Sequence, residues 1–331
     1  MLAAVISRPG GPEVLKIRAV PRPKPESHEI LVRVHASALN RADLLQRRGN
    51  YPAPPGVPAD IPGLEFAGEV EKVGSTVQLW KPGSRVMGLT AGGGHAEYVV
   101  AHERTVVEIP SSLTSAQAAA IPEAFITAHD ALWTQAALRP NERVIIHAVG
   151  SGVGLAAVQL SRAIGAFPFG TSRTSDKLTR AKELGLESGF IVPTAPTTED
   201  GRKWAANGAF DVVLDLAGGS YLNASLHALA HRGRVMSVGT MAGARTEIDI
   251  GLMLGKRVRI IGTVLRARHL EEKIAVTRLF AREVIPLFEN KLLRVVIDSQ
   301  FELNDVRKAH ERLESNETFG KVVLRMTGSQ S

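Results

Sequence analysis

The sequence has no cysteine. That absence excludes disulfides, a cysteine nucleophile and any cysteine-ligated zinc. It fits a reducing compartment, and the expectation is a cytoplasmic protein. No stretch of about 18 apolar residues occurs, so no membrane span is expected. The opening Met1-Leu-Ala-Ala-Val-Ile6 is apolar but short, and Arg8-Pro-Gly-Gly-Pro12 ends it. It reads as a first strand and a turn, not as a secretory leader. Long runs of like charge are missing too, although 40 basic against 33 acidic residues leave a net charge of +7. A positive excess spread in this way is a solvated surface that also attracts anionic ligands. No basic stripe with interleaved aromatics is visible, so nucleic acid is not an expected partner.

What remains is a chain of 331 residues, 44% hydrophobic and 22% charged. That is an ordinary globular composition and a length suited to two domains. The chain is organised around residues 143–177. A short apolar run, Val144-Ile-Ile146, stops at a cluster formed by Gly150, Gly152 and Gly154, and Leu155-Ala-Ala-Val-Gln-Leu160 follows. Strand, tight turn and helix in that order aim free backbone N–H groups and the positive end of a helix dipole at a pyrophosphate. The match to G-x-G-x-x-G is imperfect, because Leu155 stands where the third glycine belongs.

Residues 1–118 read as short β segments separated by Gly/Pro turns, which suggests a partly open β-barrel domain. Near Thr114 the pattern changes, and residues 115–121 and 127–136 are helical in composition. From Arg143 onward β and α alternate. The candidate strands are residues 143–147, 166–171, 189–192, 211–215, 233–238 and 258–262. They predict a doubly wound, six-strand parallel sheet of the dinucleotide-binding kind. A helix spans about residues 269–289 and is interrupted by Pro286. Residues 295–301 and 321–326 return to β, with an amphipathic helix over 304–314 between them. The tail therefore closes the first domain, and the nucleotide domain is an insertion within it.

With this order of elements the chain resembles the medium-chain dehydrogenase/reductase superfamily, and more closely its zinc-free quinone oxidoreductases. The resemblance is carried by Ser37-Ala-Leu-Asn-Arg-Ala-Asp43, Gly63-Leu-Glu-Phe-Ala-Gly68, Ala118-Ala-Ala-Ile-Pro122 with Thr127-Ala128, Ser151-Gly-Val-Gly154 and Gly320-Lys-Val-Val323. Gln46-Arg-Arg-Gly-Asn-Tyr-Pro52, Ala119-Ala-Ile-Pro-Glu-Ala124 and Leu265-Arg-Ala-Arg268 resemble the tumour-suppressor-inducible branch. The resemblance implies a GroES-like catalytic domain over residues 1–118 and 286–331 and a Rossmann NADP-binding domain over 119–285. Zinc members carry a cysteine ahead of the Asp43 position and Gly-His-Glu near residue 64. Asn40 and Leu64 stand there in this chain, so a catalytic zinc has no ligand set.

NAD-preferring sites place Asp or Glu at the end of the second strand, about 20 residues past the glycines. Here Ser172, Arg173 and Lys177 cluster at that place. Hydroxyl, guanidinium and ammonium suit an extra phosphate, which predicts NADPH. Gly150, Ser151, Gly152, Val153 and Gly154 form the pyrophosphate turn. The resemblance adds Asn40 and Thr127 near the nicotinamide ribose, ring and substrate, and Gly239 and Thr240 at a strand edge. It also adds Val264, Leu265 and Arg266 at the amide or adjoining phosphate, and Lys321 near the cofactor cleft. Asn40 as a turn cap and Thr127 as a helix cap are the alternatives.

Tyr51, one of three tyrosines, lies in a proline-stiffened loop. Its phenol can donate to a carbonyl or quinone oxygen as charge develops; packing on a neighbour is the other reading. Ser151 can bond pyrophosphate, approach the substrate or cap a helix. Together these features predict NADPH-dependent hydride transfer, without metal, to a quinone held between the domains. Reduction of an activated alkene, such as an enone or enoyl thioester, is the alternative within enzymes. A zeta-crystallin-like RNA-binding or structural role is the alternative outside them. Residues 257–263 would be an exposed apolar edge strand unless covered, and the resemblance implies a homodimer through it.

Overall fold

A computed structural model describes residues 1–192 and 195–326. The expected first-domain segment 286–331 runs beyond them at residues 327–331. The strands in chain order are β1 Leu2–Ile6, β2 Leu15–Ala19, β3 Glu29–Ala38, β4 Glu65–Val73, β5 Arg85–Leu89, β6 Tyr98–His102, β7 Val106–Glu108, β8 Arg143–Ile146, β9 Phe167–Ser172, β10 Ser188–Ile191, β11 Phe210–Asp215, β12 Leu229–Ser237, β13 Arg259–Gly262, β14 Ile297–Glu302 and β15 Lys321–Arg325. Two compact units result. One is Met1–Ile126 with the segment from Leu265 on, and the other is Thr127–Val264.

The first unit holds a seven-stranded mixed sheet, ordered β14-β15-β3-β4-β5-β7 with β6 also on β3. A separate antiparallel pair joins β1 to β2. The strand β2 escapes the sequence reading, because Leu15-Lys-Ile-Arg-Ala19 is short and only Leu15 is buried. The chain's last strands join this unit's sheet. β15 runs antiparallel to β3 with Val323 opposite Ala38. Two residues further along each strand, in opposite directions, that register sets Lys321 against Asn40. On the other side of β3, Ser37 pairs with Phe66 of β4. The position before Phe66, Glu65, thus reaches the same end of the sheet. Burial of Val32, Phe66, Val70, Val322 and Leu324 fixes these registers. A one-residue slip would turn each of those side chains to the opposite face. The helix Val306–Glu314 adds Val306, Ala309 and Leu313 to the same core.

In the second unit, the sheet order is β10-β9-β8-β11-β12-β13, and every pairing is parallel. Val144, Ile145 and Ile146 of β8 are all fully buried, the signature of a strand covered on both faces. Strand order reverses between β8 and β11. A doubly wound sheet binds its ligand outside the carboxyl ends of the strands at such a reversal. β13 forms one edge; Ile260 on it is exposed, as are Ile250 and Leu254 on the preceding helix Ile250–Lys256.

Two helical regions differ in detail from the periodicity. Pro122–Ile126 and Asp130–Gln135 are π-helical around an α-helical turn, Thr127–His129. Pro122 supplies no N–H and its ring crowds the carbonyl of the preceding turn. The helix expected over 269–289 is two, Leu270–Glu283 and Ile285–Glu289, with Pro286 in the first turn of the second. There its missing N–H breaks no hydrogen bond.

Candidate active site

A group of ionisable side chains gathers within the first unit where β3, β4 and β15 end. Asn40 precedes the helix Arg41–Arg47, in the capping position. Its backbone N–H donates to the Asp43 carboxylate at 2.7 Å, and the Gly63 N–H donates to the other Asp43 oxygen at 2.9 Å. Gly63 has φ +103, and a Cβ there would lie 2.4 Å from the His95 nitrogen, so only glycine fits this approach. The Asn40 amide turns elsewhere. Its Nδ2 donates to Glu65 Oε1 at 2.9 Å and its Oδ1 accepts from Lys321 Nζ at 2.5 Å.

Glu65 is fully buried and accepts on both oxygens. Lys321 Nζ lies 2.7 Å from Oε1, and the backbone N–H of Glu123 donates to Oε2 at 2.8 Å. Burial pushes the Glu65 carboxyl above the usual range, and the Lys321 ammonium pulls against that shift. Lys321 also donates to the Leu39 carbonyl at 2.9 Å. Its three donors are therefore taken by Leu39, Asn40 and Glu65, and it acts here as the positioning charge for Asn40 and Glu65. Glu123, less buried than Glu65, is pushed up to about 8, first by burial and then by the neighbouring Glu65 charge.

Tyr51 belongs to the same unit, in the loop that follows the helix Arg41–Arg47. Arg266 places its guanidinium carbon 4.7 Å from the centre of the Tyr51 ring, a stacking distance for a cation. It donates to the Tyr51 carbonyl at 3.2 Å, the Ala91 carbonyl at 2.7 Å and Gln46 Oε1 at 2.8 Å. Gln46 in turn donates to the Ala59 carbonyl at 3.0 Å, so the loop carrying Tyr51 is held on both sides. Burial and then the nearby Glu123 carboxylate raise the phenol. Arg266 is buried and its guanidinium serves this loop. Leu265 beside it is buried as well.

The nucleotide turn belongs to the second unit. β8 ends at Ile146, and the helix Gly152–Ala163 begins six residues later with Ser151 in the capping position. Ser151 Oγ accepts from the Gly154 N–H at 3.1 Å, so its oxygen serves the helix while its O–H stays available as a donor. The N–H groups of Gly152 and Val153, the first two of the helix, have no acceptor within it. A Cβ on Gly154 would lie 2.6 Å from the Val149 carbonyl oxygen and 2.8 Å from that of Ala148. The helix can approach its strand so closely only because Gly154 has no side chain. β9 ends at the buried Ser172, with the exposed Arg173 next. Lys177 lies along the turn, since a Cβ on Gly150 would meet its Cδ at 2.8 Å. Thus Lys177 and the glycine turn are brought together. Gly239 and Thr240 follow the end of β12; the Gly239 N–H donates to the Asp215 carbonyl at 3.2 Å. Thr127 opens the second unit and is buried, whereas Val264, its last residue, is exposed.

Of the residues singled out from the sequence, Asn40, Tyr51, Leu265, Arg266 and Lys321 lie in the first unit and the remainder in the second. Sequence reasoning missed Glu65 and Glu123. Each was visible as a lone acid inside an apolar motif, Gly63-Leu-Glu-Phe-Ala-Gly68 and Ala119-Ala-Ile-Pro-Glu-Ala124. An acid flanked by residues bound for the core is buried with them, and a buried acid is perturbed.

A parallel sheet in this order with a glycine turn at its reversal, carried in one chain with a mixed β unit closed by the chain's return, defines a medium-chain dehydrogenase/reductase. Comparison with known proteins agrees. Residues 26–111 match the alcohol dehydrogenase GroES-like domain, and residues 190–324 match the family described as zinc-binding dehydrogenase. The quinone oxidoreductase of Lama guanicoe is 35% identical over 327 residues, 98% of this chain and 97% of that protein. The structure of Escherichia coli quinone oxidoreductase complexed with NADPH is 28% identical, covers 98% of this chain and 100% of that one, and superposes with a TM-score of 0.87. The CurK enoyl reductase structure is 26% identical with a TM-score of 0.86, covering 98% and 99%. The chain belongs to the quinone oxidoreductase family, and it is an oxidoreductase with the Rossmann and GroES-like folds that its sequence predicts.

Proposed function

We propose that the protein is an NADPH-dependent quinone reductase that works without a metal. The observation that carries the reading is the end of β9. Where an acid would bind ribose hydroxyls, Ser172 and Arg173 stand, with Lys177 lying along the glycine turn. That donor set fits a phosphate dianion, and the open N–H groups of Gly152 and Val153 fit the pyrophosphate. When bound, the nicotinamide supplies the hydride. Gly150, Ser151, Gly239 and Thr240 serve the dinucleotide at the strand ends. The resemblance assigns Asn40, held by Glu65 and Lys321, to the ring and ribose, and it assigns Thr127, Val264 and Leu265 to the cofactor as well. Arg266 serves at one remove by fixing Tyr51. Tyr51 donates its hydrogen bond to the quinone oxygen as negative charge grows on it.

Zinc does not fit these residues. The chain has no cysteine, and among the described residues no group of three or more His, Asp or Glu is placed to hold a metal. The buried carboxylate of Glu65 already faces a cation, the ammonium of Lys321. The test is NADPH and NADH consumption measured in parallel with a naphthoquinone and with an enone. Turnover with NADPH and the naphthoquinone supports the reading; turnover with the enone alone supports the second one, alkene reduction, which the likeness to CurK enoyl reductase favours. We further propose a homodimer through β13, on the exposed Ile250, Leu254 and Ile260.

A further inference from the structure

His147 follows β8 at the reversal of strand order and is fully buried. Its ring bonds on both sides. Nδ1 lies 3.0 Å from Thr171 Oγ1 on β9, and Nε2 lies 2.8 Å from Ser225 Oγ on the helix Ser220–Ala228. Donor counting gives the direction of each bond. Ser225 has one hydroxyl hydrogen, and it goes to the Tyr221 carbonyl at 2.6 Å, which can only accept. Towards His147, Ser225 is therefore the acceptor, and Nε2 carries the ring hydrogen. Burial pushes the imidazole down to about 4, with the Asp215 carboxylate pulling the other way, so the ring holds a single N–H at neutral pH. Nδ1 is then bare and accepts the Thr171 O–H. The rings of Tyr221 and Trp204, centred 4.8 and 5.3 Å from the imidazole, cover it.

These bonds end beside the phosphate residues. Thr171 precedes Ser172 and Arg173, and its carbonyl accepts the Val149 N–H of the glycine turn at 3.0 Å. His147 stands two residues before Val149, so the turn is tied to β9 twice, by the backbone of Val149 and by the side chain of His147. Between the two ties lies Ala148, whose φ of +52 is in the left-handed region. A residue with a Cβ stays there only when its surroundings hold it. The Ala148 carbonyl accepts from the Ser151 N–H at 3.0 Å, so the conformation of Ala148 sets where the helix Gly152–Ala163 begins. Resting on the reading of Ser172 and Arg173 as phosphate residues, we propose that His147 is a positioning residue for NADPH, whose bare Nδ1 on the Thr171 hydroxyl locks the end of β9 and the glycine turn into one phosphate-binding surface. The bond to Ser225 fixes the tautomer that leaves Nδ1 bare. The subsites for the pyrophosphate and for the added phosphate then keep one spacing, and binding loses no free energy to ordering them.

The test compares the wild type with H147N, H147Q, T171V and the H147Q/T171V double variant. Asparagine sets its amide near the place of Nδ1 and can keep the bond to Thr171. Glutamine reaches the place of Nε2 and can keep the bond to Ser225. NADPH and NADH are titrated onto each protein without quinone, read by the fluorescence of the dihydronicotinamide, and steady-state kinetics follow with a naphthoquinone. H147Q and T171V are expected to raise the Kd and KM for NADPH by about 10-fold, the worth of one buried hydrogen bond, with kcat and the KM for the quinone held. H147N is expected to stay within about 3-fold of the wild type although it loses the bond to Ser225. The double variant should bind no more weakly than H147Q, because both changes remove the same bond. A role in folding alone would lower kcat through the active fraction and leave KM where it is. Nitrogen NMR of histidine-labelled protein should show, at the signals missing from H147N, a ring protonated on Nε2 at neutral pH. A ring protonated on Nδ1, or wild-type NADPH affinity in H147Q when the wild type prefers NADPH to NADH, overturns the proposal alone. Equal wild-type affinity for the two cofactors overturns the reading of Ser172 and Arg173 and the proposal with it.

Discussion

Replacing Lys321 by Met isolates the ion pair at the centre of the first unit. The ammonium is 6% exposed and its partner Glu65 is fully buried, 2.7 Å away. Removing one member of such a pair leaves a charge without compensation, which costs about 3–5 kcal/mol. The cost depends on pH in a calculable direction. Burial raises the Glu65 carboxyl and Lys321 lowers it, so the variant's Glu65 rises further above its unfolded value. A group raised in the folded state contributes stability fully present below the unfolded value and lost as pH climbs through the folded one. At pH 5 Glu65 in K321M is expected to take up a proton. The deficit there is about 1–2 kcal/mol, from the Leu39 carbonyl and Asn40 Oδ1 left without a donor. At pH 8, the full ~3–5 kcal/mol appears. Chemical denaturation at both pH values, read against the wild type, gives the two numbers. The double variant E65Q/K321M, which has no buried charge, should recover part of the loss at pH 8. A deficit equal at both pH values, or below about 1 kcal/mol at pH 8, would refute the account of Glu65 as a charge held by Lys321.

Y51F should lower turnover by about 10-fold, the worth of one hydrogen bond to developing charge; steady-state kinetics with a naphthoquinone measure it, and undiminished turnover removes Tyr51 from the mechanism. R173A should raise the KM for NADPH by about 10- to 100-fold, from loss of a charge-assisted contact, while leaving the KM for NADH unchanged. A matching loss with NADH would show that Arg173 does not read the extra phosphate. I260K places a charge on the exposed edge strand β13; sedimentation should find a dimeric wild type and a monomeric variant, and a monomeric wild type sinks the dimer.

The second unit was legible in outline because its signals are local. Val144, Ile145 and Ile146 form an apolar run that stops at glycines, and each later strand is separated from the next by a helical pattern. Chain order alone then leads to the sheet order, since doubly wound connections allow few alternatives. The first unit was legible as strands and turns but not as a site. Asn40, Glu65 and Lys321 meet only through the registers of β3 with β4 and with β15, and registers are set by burial across strands far apart in sequence. Arg266 shows the same gap. Its motif suggested a partner in the cofactor, and nothing in the sequence said that Gln46, Tyr51 and Ala91 would take its guanidinium.

The contact between Lys321 and Asn40 joins residues 281 apart in the chain. During synthesis, Asn40 and Glu65 therefore leave the ribosome long before their counter-charge exists. The contiguous second unit can finish folding in that interval, while the first waits with an unneutralised carboxylate and with the end of β3, residues 36–38, unpaired on the side that β15 will take. An edge left open for so long is a template for pairing with other chains. The strand that completes the site is thus also the one that closes the last open stretch of β3 against other chains.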